Sequence, residues 1–108
     1  MVQNMESNQK TLRVLIHAPT AEAVTRARNN AANLLAAAPD AEVRILANAG
    51  GVAAVLDAPH QEADRVTFVC ENTLKKIQRT ASSPLQTVPV SILAIARMQQ
   101  EGWLYVRA

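Results

Sequence analysis

The chain has 108 residues, enough for one ordinary domain, and its 49% hydrophobic content is sufficient for a packed core. Aromatic residues make up only 3%, so that core must consist mainly of Ala, Val, Leu and Ile. The 11 basic and 9 acidic residues leave a net charge of +2, without the basic block typical of nucleic-acid binding. We therefore expect no nucleic-acid partner.

The chain begins with the polar stretch MVQNMESNQK, which lacks the apolar run of a signal peptide. We expect residues 1–10 to form a frayed tail before a single domain at residues 11–108. No later run approaches the roughly 18 apolar residues of a membrane span. A single cysteine cannot form an intramolecular disulfide, which favours a reducing compartment. These features predict a soluble cytoplasmic protein without membrane association.

Strand and helix patterns alternate in the first half of the chain. Residues 12–17, LRVLIH, are short and apolar, as in a strand that is buried on both faces. Apolar residues recur at helical spacing across residues 22–38. Residues 42–48 predict a second strand, and a tight turn at NAGG, residues 48–51, leads into a short helix at 51–57.

The same alternation continues after this helix. Residues 64–70, DRVTFVC, have strand character, and residues 72–79 predict a helix with Asn72 or Thr73 as its N-cap. The strand therefore ends at Cys70, where the helix is about to begin.

The last third predicts one more strand, one more helix and a closing strand. The strand is at residues 86–90, and the helix is at residues 91–100, capped by Ser91 and ended by Gly102. Residues 103–106 form the final strand. Because parallel neighbours need crossover helices, the alternation predicts an α/β fold, a three-layer α/β/α sandwich around a mostly parallel five-stranded sheet.

Cys70 has two interpretations. Lone cysteines after apolar runs are commonly small buried hydrophobic residues. At a strand-to-helix junction, however, free peptide N–H groups favour the thiolate, whereas the charge of neighbouring Glu71 opposes it. His17 ends the first strand and would approach Cys70 if the first and third strands are neighbours. His60, in a polar loop, is the weaker histidine candidate.

Two further groups of residues are candidates for contacting an anion or a protein partner. The NAGG turn offers backbone N–H groups, although it lacks the GxGxxG and GxxxxGK[ST] signatures of nucleotide sites. The helix after Cys70 carries a basic face, which is also typical of an ordinary solvated surface. These candidates are Asn48, Gly50, Gly51, Lys75, Lys76 and Arg79. One cysteine and two separated histidines form no zinc spacing, so we expect neither a metal nor a cofactor.

Four stretches resemble, in order and spacing, the DsrE/DsrF-like proteins of intracellular sulfur transfer. They are RNNAANLL (28–35), VRILANAGGVAAVL (43–56), VCENTL (69–74) and VPVSILAIARMQQEGWLYVR (88–107). The resemblance is to small members with a C-x-N-T-L segment and a closing Q-x-E-G-W-x-Y. It implies a three-layer α/β/α domain, homo-oligomers that are often trimers or hexamers, and a cysteine that carries sulfane sulfur as a persulfide.

The family's cysteine corresponds to Cys70, followed by Asn72, Thr73 and Leu74. The segment KKIQRTASSPLQT, residues 75–87, departs from the family's usual loop with its acidic residue and proline. The remaining correspondences imply structural roles, and they are Asn30, Asn33, Gly51, Gln100, Gly102, Trp103 and Tyr105. From their alternation alone, Trp103 and Tyr105 are expected to pack against a helix or a neighbouring subunit.

The first functional hypothesis is sulfur relay, in which Cys70 receives sulfane sulfur from a donor and passes it to an acceptor thiol. The alternative is a non-catalytic oligomeric module that binds a small anion or a protein partner, with Cys70 only lining the cleft. A redox-sensing thiol is the third and lowest-ranked hypothesis.

Overall fold

A computed structural model describes residues 11–108, and the predicted tail at residues 1–10 lies outside the described residues. Five strands alternate with four helices. The strands are β1 Arg13–Ala18, β2 Glu42–Ala47, β3 Thr67–Cys70, β4 Gln86–Val88 and β5 Leu104–Arg107. The helices are α1 Ala21–Ala37, α2 Gly50–Asp57, α3 Glu71–Ile77 and α4 Ser91–Gln100.

The five strands form one sheet in the order β4-β3-β2-β1-β5, and every neighbouring pair is parallel. This confirms the predicted α/β/α sandwich and makes the sheet parallel throughout. β1 and β3 are not neighbours, because β2 lies between them. The condition for a direct pair of His17 with Cys70 is therefore not met.

Alternate residues of each strand point to opposite faces, so the sheet divides the apolar residues into two cores. One face is covered by α1, α2 and α3; its largest fully buried strand residues are Ile16, Ile45 and Val69. The other face is covered by α4, and its core is Leu15, Leu46, Val88, Ile95, Met98 and Trp103. Within residues 11–108, no helix has the length and hydropathy needed to cross a membrane.

The handedness of the crossovers explains this division. From β1 to β4 the chain moves in one direction across the sheet, and right-handed crossovers put all three helices on one face. From β4 to β5 it returns across the sheet, so the same handedness puts α4 on the opposite face. The connections after β3 and β4 therefore leave toward opposite faces, which opens a crevice between the carboxyl ends of these two strands.

Helix ends follow local chemistry. The Thr20 hydroxyl accepts a hydrogen bond from the Ala23 N–H at 3.0 Å and so caps α1. After α4, Gly102 has a φ of 99° and the Trp103 N–H donates to the Met98 carbonyl at 3.0 Å, which is a Schellman ending. This confirms the predicted role of Gly102.

Three local predictions were wrong. Residues Ala63–Val66 form a 3-10 turn where a strand was expected from residue 64. The Thr67 hydroxyl donates to the Ala63 carbonyl, and the buried Asp64 carboxylate accepts from the His60 N–H, which together stabilise this turn. The N-cap position of α3 is Cys70, and Asn72 and Thr73 lie inside the helix. Val90 occupies the N-cap position of α4, so Ser91 is the first helical residue and does not cap it.

Gly51 lets α2 approach the end of β1. A Cβ at this position would overlap the carbonyl group of Ala18, which is backbone and cannot move aside. We expect Gly51→Ala to lower the free energy of unfolding by about 3 kcal/mol in chemical denaturation. The adjacent Gly50→Ala is the control, because its Cβ would lie 3.6 Å from the Pro19 carbonyl oxygen, an ordinary contact. Equal stabilities of the two variants would contradict the close approach.

Candidate functional site

Cys70 lies at the crevice between β3 and β4. It is the last residue of β3, opposite Val88 of β4, and it occupies the N-cap position of α3. Strand alternation puts its side chain on the same sheet face as Phe68, the face covered by α4. The residue is only 3% exposed. The lone thiol is thus buried where the amino ends of α3 and α4 meet.

Four donors surround the sulfur, although Cys70 itself makes no closed side-chain cap hydrogen bond with α3. Burial raises the pKa of the Cys70 thiol, because it disfavours the charged form. The amides of Thr73 and Ser91, together with their two hydroxyls, act in the opposite direction and outweigh burial. The net result is a thiol pKa below its ordinary value, so the site favours the thiolate.

The turn between β2 and α2 determines how the two hydroxyls are oriented. The Ala49 N–H donates to the Thr73 hydroxyl oxygen at 3.1 Å, and the Asn48 side-chain amide donates to the Ser91 hydroxyl oxygen at 3.1 Å. A hydroxyl has one hydrogen to donate. Because a donor already occupies an acceptor position on each oxygen, both hydroxyl hydrogens are free to point at the sulfur.

This turn is strained. The Gly51 N–H closes it on the Asn48 carbonyl at 2.9 Å, and Ala49 adopts φ 48° and ψ −132°. A residue with a Cβ rarely adopts this region, which glycine tolerates. In this strained conformation the Ala49 N–H points at the Thr73 hydroxyl oxygen.

His17 reaches the site indirectly. Its Nε2 lies 2.9 Å from Asn48 Oδ1, and its Nδ1 lies 2.7 Å from the Tyr105 hydroxyl. Asn48 in turn contacts Ser91, which faces the sulfur of Cys70. The histidine is therefore connected to the thiol through two intermediate side chains.

The structure brings some sequence candidates together and leaves others apart. Asn48 and Thr73 join Cys70, whereas Asn72 is exposed on the first turn of α3. Lys75 and Lys76 are exposed in the last turn of α3, away from the sulfur.

Arg79 and the two glycines have other contacts. The Arg79 guanidinium pairs at 2.8 Å with Asp57, the last residue of α2. Gly51 uses its N–H within the turn, and Gly50 lies against the backbone of Pro19 and Thr20. These residues support packing, and the basic ones do not surround the thiol.

The remaining acid and histidine candidates are engaged locally. The Glu71 carboxylate accepts a hydrogen bond from the Thr87 hydroxyl at 2.9 Å, which holds it toward β4. His60 Nδ1 accepts from the Ala63 N–H at 3.1 Å, so it stabilises the 3-10 turn. Among residues 11–108, no group of three or more His, Cys, Asp or Glu side chains has the spacing of a metal site.

A separate cleft of about 420 Å³ lies at the amino ends of the strands, far from the thiol. Arg44 contributes to its wall and stacks over the ring of Trp103 at 4.2 Å. Phe68 also lines it. This cleft holds no nucleophilic cysteine, and we assign the chemistry to the carboxyl edge.

Two important residues were missed by sequence reasoning. Ser91 was assigned to helix capping, and Tyr105 was assigned to packing. The signal for Ser91 was its position directly after the predicted strand at residues 86–90, at the same edge as Cys70. No sequence signal pointed to Tyr105, because its place beside His17 follows from the pairing of β5 with β1.

No protein-family model and no curated protein matches this chain. Cys70 is therefore the candidate functional residue because of its position at the carboxyl edge and the direction of its pKa shift.

The lowered thiol pKa predicts a pH-dependent stability. Between the folded and unfolded pKa values the unfolded state holds the proton, so ionisation of Cys70 stabilises the fold as pH rises toward about 8.5. The contribution is lost as pH falls through the folded pKa. Relative to Cys70→Ala, the wild type is expected to gain stability from about pH 6 to about pH 9 in urea denaturation. A constant or shrinking difference would contradict the lowered pKa.

The strain at Ala49 predicts an unusual effect of glycine. Ala49→Gly removes the steric cost at positive φ and is expected to raise the free energy of unfolding by about 1 kcal/mol, after the larger chain entropy of glycine is deducted. The matched control is Ala36→Gly, at an exposed position inside α1, which is expected to lose about 1 kcal/mol. Destabilisation by both substitutions would show that Ala49 is not strained.

Proposed function

We propose that this protein is an intracellular sulfur relay, which carries sulfane sulfur as a persulfide on Cys70 and passes it to an acceptor thiol. The observation that supports this best is a buried thiol whose pKa is lowered by four directed donors. The same donors stabilise a persulfide anion, whose negative charge also lies on sulfur. The resemblance to DsrE/DsrF-like proteins implies the same chemistry at the same residue.

Loading requires only the thiolate and a donor. The Cys70 thiolate attacks the outer sulfur of a donor persulfide, R–S–SH. A new S–S bond forms on Cys70 while the donor's S–S bond breaks, and R–S⁻ leaves with the electron pair of that bond. The step needs no metal and no external oxidant, because sulfane sulfur only changes its carrier.

Unloading is the same exchange in reverse. An acceptor thiolate attacks the outer sulfur, and Cys70 departs as the thiolate that Thr73 and Ser91 stabilise. At 3% exposure, the sulfur is protected from water and oxidants. We propose that donor and acceptor proteins approach past Asn72, which is exposed on the first turn of α3 two residues after Cys70.

The relay is proposed to act as a homo-oligomer, the trimer or hexamer that the resemblance implies. Support comes from large apolar side chains that the single chain leaves exposed. Ile92 and Leu93 on the first turn of α4 are 73% and 52% exposed, and Leu104 on the edge strand β5 is 55% exposed.

One observation favours a second candidate, a non-catalytic module that binds a small anion or a protein partner. Cys70 is nearly inaccessible, which is typical of a cysteine that lines a wall. In that case the donors that face the sulfur would only hold the side chains that line the cleft in place, and no sulfur would be transferred. The two functions differ in whether Cys70 acquires sulfur.

The sulfur relay is tested by intact-mass measurement after incubation with thiosulfate or a low-molecular-weight persulfide. We expect an added mass of about 32 Da, one sulfur atom, on the wild type. Because Cys70 is the only cysteine, the adduct needs no mapping. A sulfinic acid has nearly the same added mass, but dithiothreitol removes only the persulfide.

Cys70→Ser is the matched control and is expected to gain no mass. Absence of a reducible adduct on the wild type with both donors would reject the relay and favour the binding module. The same adduct on Cys70→Ser would show that the sulfur lies elsewhere. A sulfenate formed with peroxide, without sulfur loading, would instead indicate a redox sensor.

A further inference from the structure

Side chains from four strands form one continuous chain of hydrogen bonds along the carboxyl edge of the sheet. It runs from Tyr105 on β5 to His17 on β1, then to Asn48 after β2, and from there to Ser91 after β4. Ser91 faces the sulfur of Cys70 on β3. Adjacent strands are about 4.8 Å apart, so the chain extends about 14 Å from the sheet edge to the thiol.

The donors and acceptors in this chain have one consistent direction. Asn48 Oδ1 can only accept, so His17 Nε2 carries a hydrogen and donates to it. In the neutral imidazole, Nδ1 is then an acceptor, and the Tyr105 hydroxyl donates to it. The Asn48 amide donates to Ser91, whose hydrogen is left for the sulfur. Every hydrogen in the chain thus points toward Cys70.

The two hydroxyls that face the sulfur are held by different means. Thr73 is oriented by the Ala49 N–H, a backbone group that cannot exchange donor for acceptor. Ser91 is oriented by a side-chain amide, which can rotate by 180°. If Asn48 turned over, its oxygen would face Ser91 and take that hydroxyl hydrogen away from the sulfur. A hydrogen on His17 Nε2 favours the observed orientation, because only the oxygen of the Asn48 side chain can accept it.

We propose that His17 and Tyr105 are positioning residues, which keep Asn48 turned so that the Ser91 hydroxyl donates to the Cys70 thiolate. This inference deepens the proposed sulfur relay and rests on it for its biological meaning. His17 does not touch the sulfur and does not remove its proton. It holds Asn48 in one of two orientations, and the Tyr105 hydroxyl holds the His17 ring in place through its hydrogen bond with Nδ1.

The titratable side chains around the thiol are few. Glu71 on α3 is held by Thr87, His17 is two hydrogen bonds away from Ser91, and Tyr105 lies behind His17. Arg107 on β5 pairs with His17, donates to the Ala108 carbonyl at 3.0 Å, and is unchanged in every variant tested. Within residues 11–108, the segments that directly follow β2 and β4 carry no charged side chain at this edge. A change in the titration of Cys70 on substitution of His17 therefore reports the hydrogen-bond chain.

The experiment is a pH titration of the Cys70 thiolate by its ultraviolet absorbance, which does not require the thiol to be accessible. His17→Leu removes the donor to Asn48, and we expect the thiolate fraction at pH 7 to fall about fivefold. His17→Gln keeps an N–H donor at the same position and is expected to restore most of that fraction. Cys70→Ser supplies the baseline.

Tyr105→Phe is a second, independent variant on the exposed edge strand, where the fold tolerates the change. Without the hydroxyl, Nδ1 loses its hydrogen-bond partner and the His17 ring is held less firmly against Asn48, so we expect a fall of about twofold. If His17→Leu does not fold, the titration of Cys70 in Tyr105→Phe tests the positioning role by itself. Unchanged titrations in the folded variants, or equal losses for the Leu and Gln substitutions, would overturn the positioning role.

Failure of this inference can be distinguished from failure of the sulfur relay. If the wild type acquires no sulfur but His17→Leu shifts the titration, the positioning role holds and the relay fails. If the wild type acquires sulfur and no variant shifts the titration, the relay holds and the positioning role fails.

Discussion

The right-handedness of parallel crossovers determines where this chain can build a polar site. Because the chain reverses its direction across the sheet after β4, α3 and α4 cover opposite faces. Their first turns therefore reach the carboxyl ends of β3 and β4 from opposite faces of the sheet. Thr73 arrives at this crevice from one side and Ser91 from the other, and Cys70 lies between them. The direction of the crossovers therefore determines where the donors to the thiol lie.

Burial and ionisation compete at Cys70. A thiol at 3% exposure would ordinarily stay protonated, because desolvation penalises the anion. Here the donors outweigh that penalty, since their orientations are prepared before the charge forms and need no rearrangement of solvent. The cost of this preparation appears in the neighbouring turn, where Ala49 is held at positive φ so that its N–H meets Thr73.

Hydrophobic periodicity was sufficient to predict the fold class and nearly all strands and helices, and to put Cys70 at a strand end. The order of strands was beyond it, because periodicity records which residues are buried and not which strands pair. For this reason a direct contact of His17 with Cys70 was considered, whereas in the structure β2 lies between their two strands. Ser91 was misassigned for a similar reason: its partners Asn48 and Cys70 are distant in sequence and become neighbours only through the sheet.

Strand register is what allows a side chain on the sheet edge to influence the thiol. Tyr105 pairs with Leu15, two residues before His17, so that both polar side chains lie on the face that Cys70 also occupies. A slip of one residue in either strand would send them to opposite faces and break the chain. The acidity of Cys70 therefore has two contributions of different origin. The orientation of the Thr73 hydroxyl is fixed by the backbone, whereas that of the Ser91 hydroxyl depends on side chains that can be rearranged without unfolding the sheet.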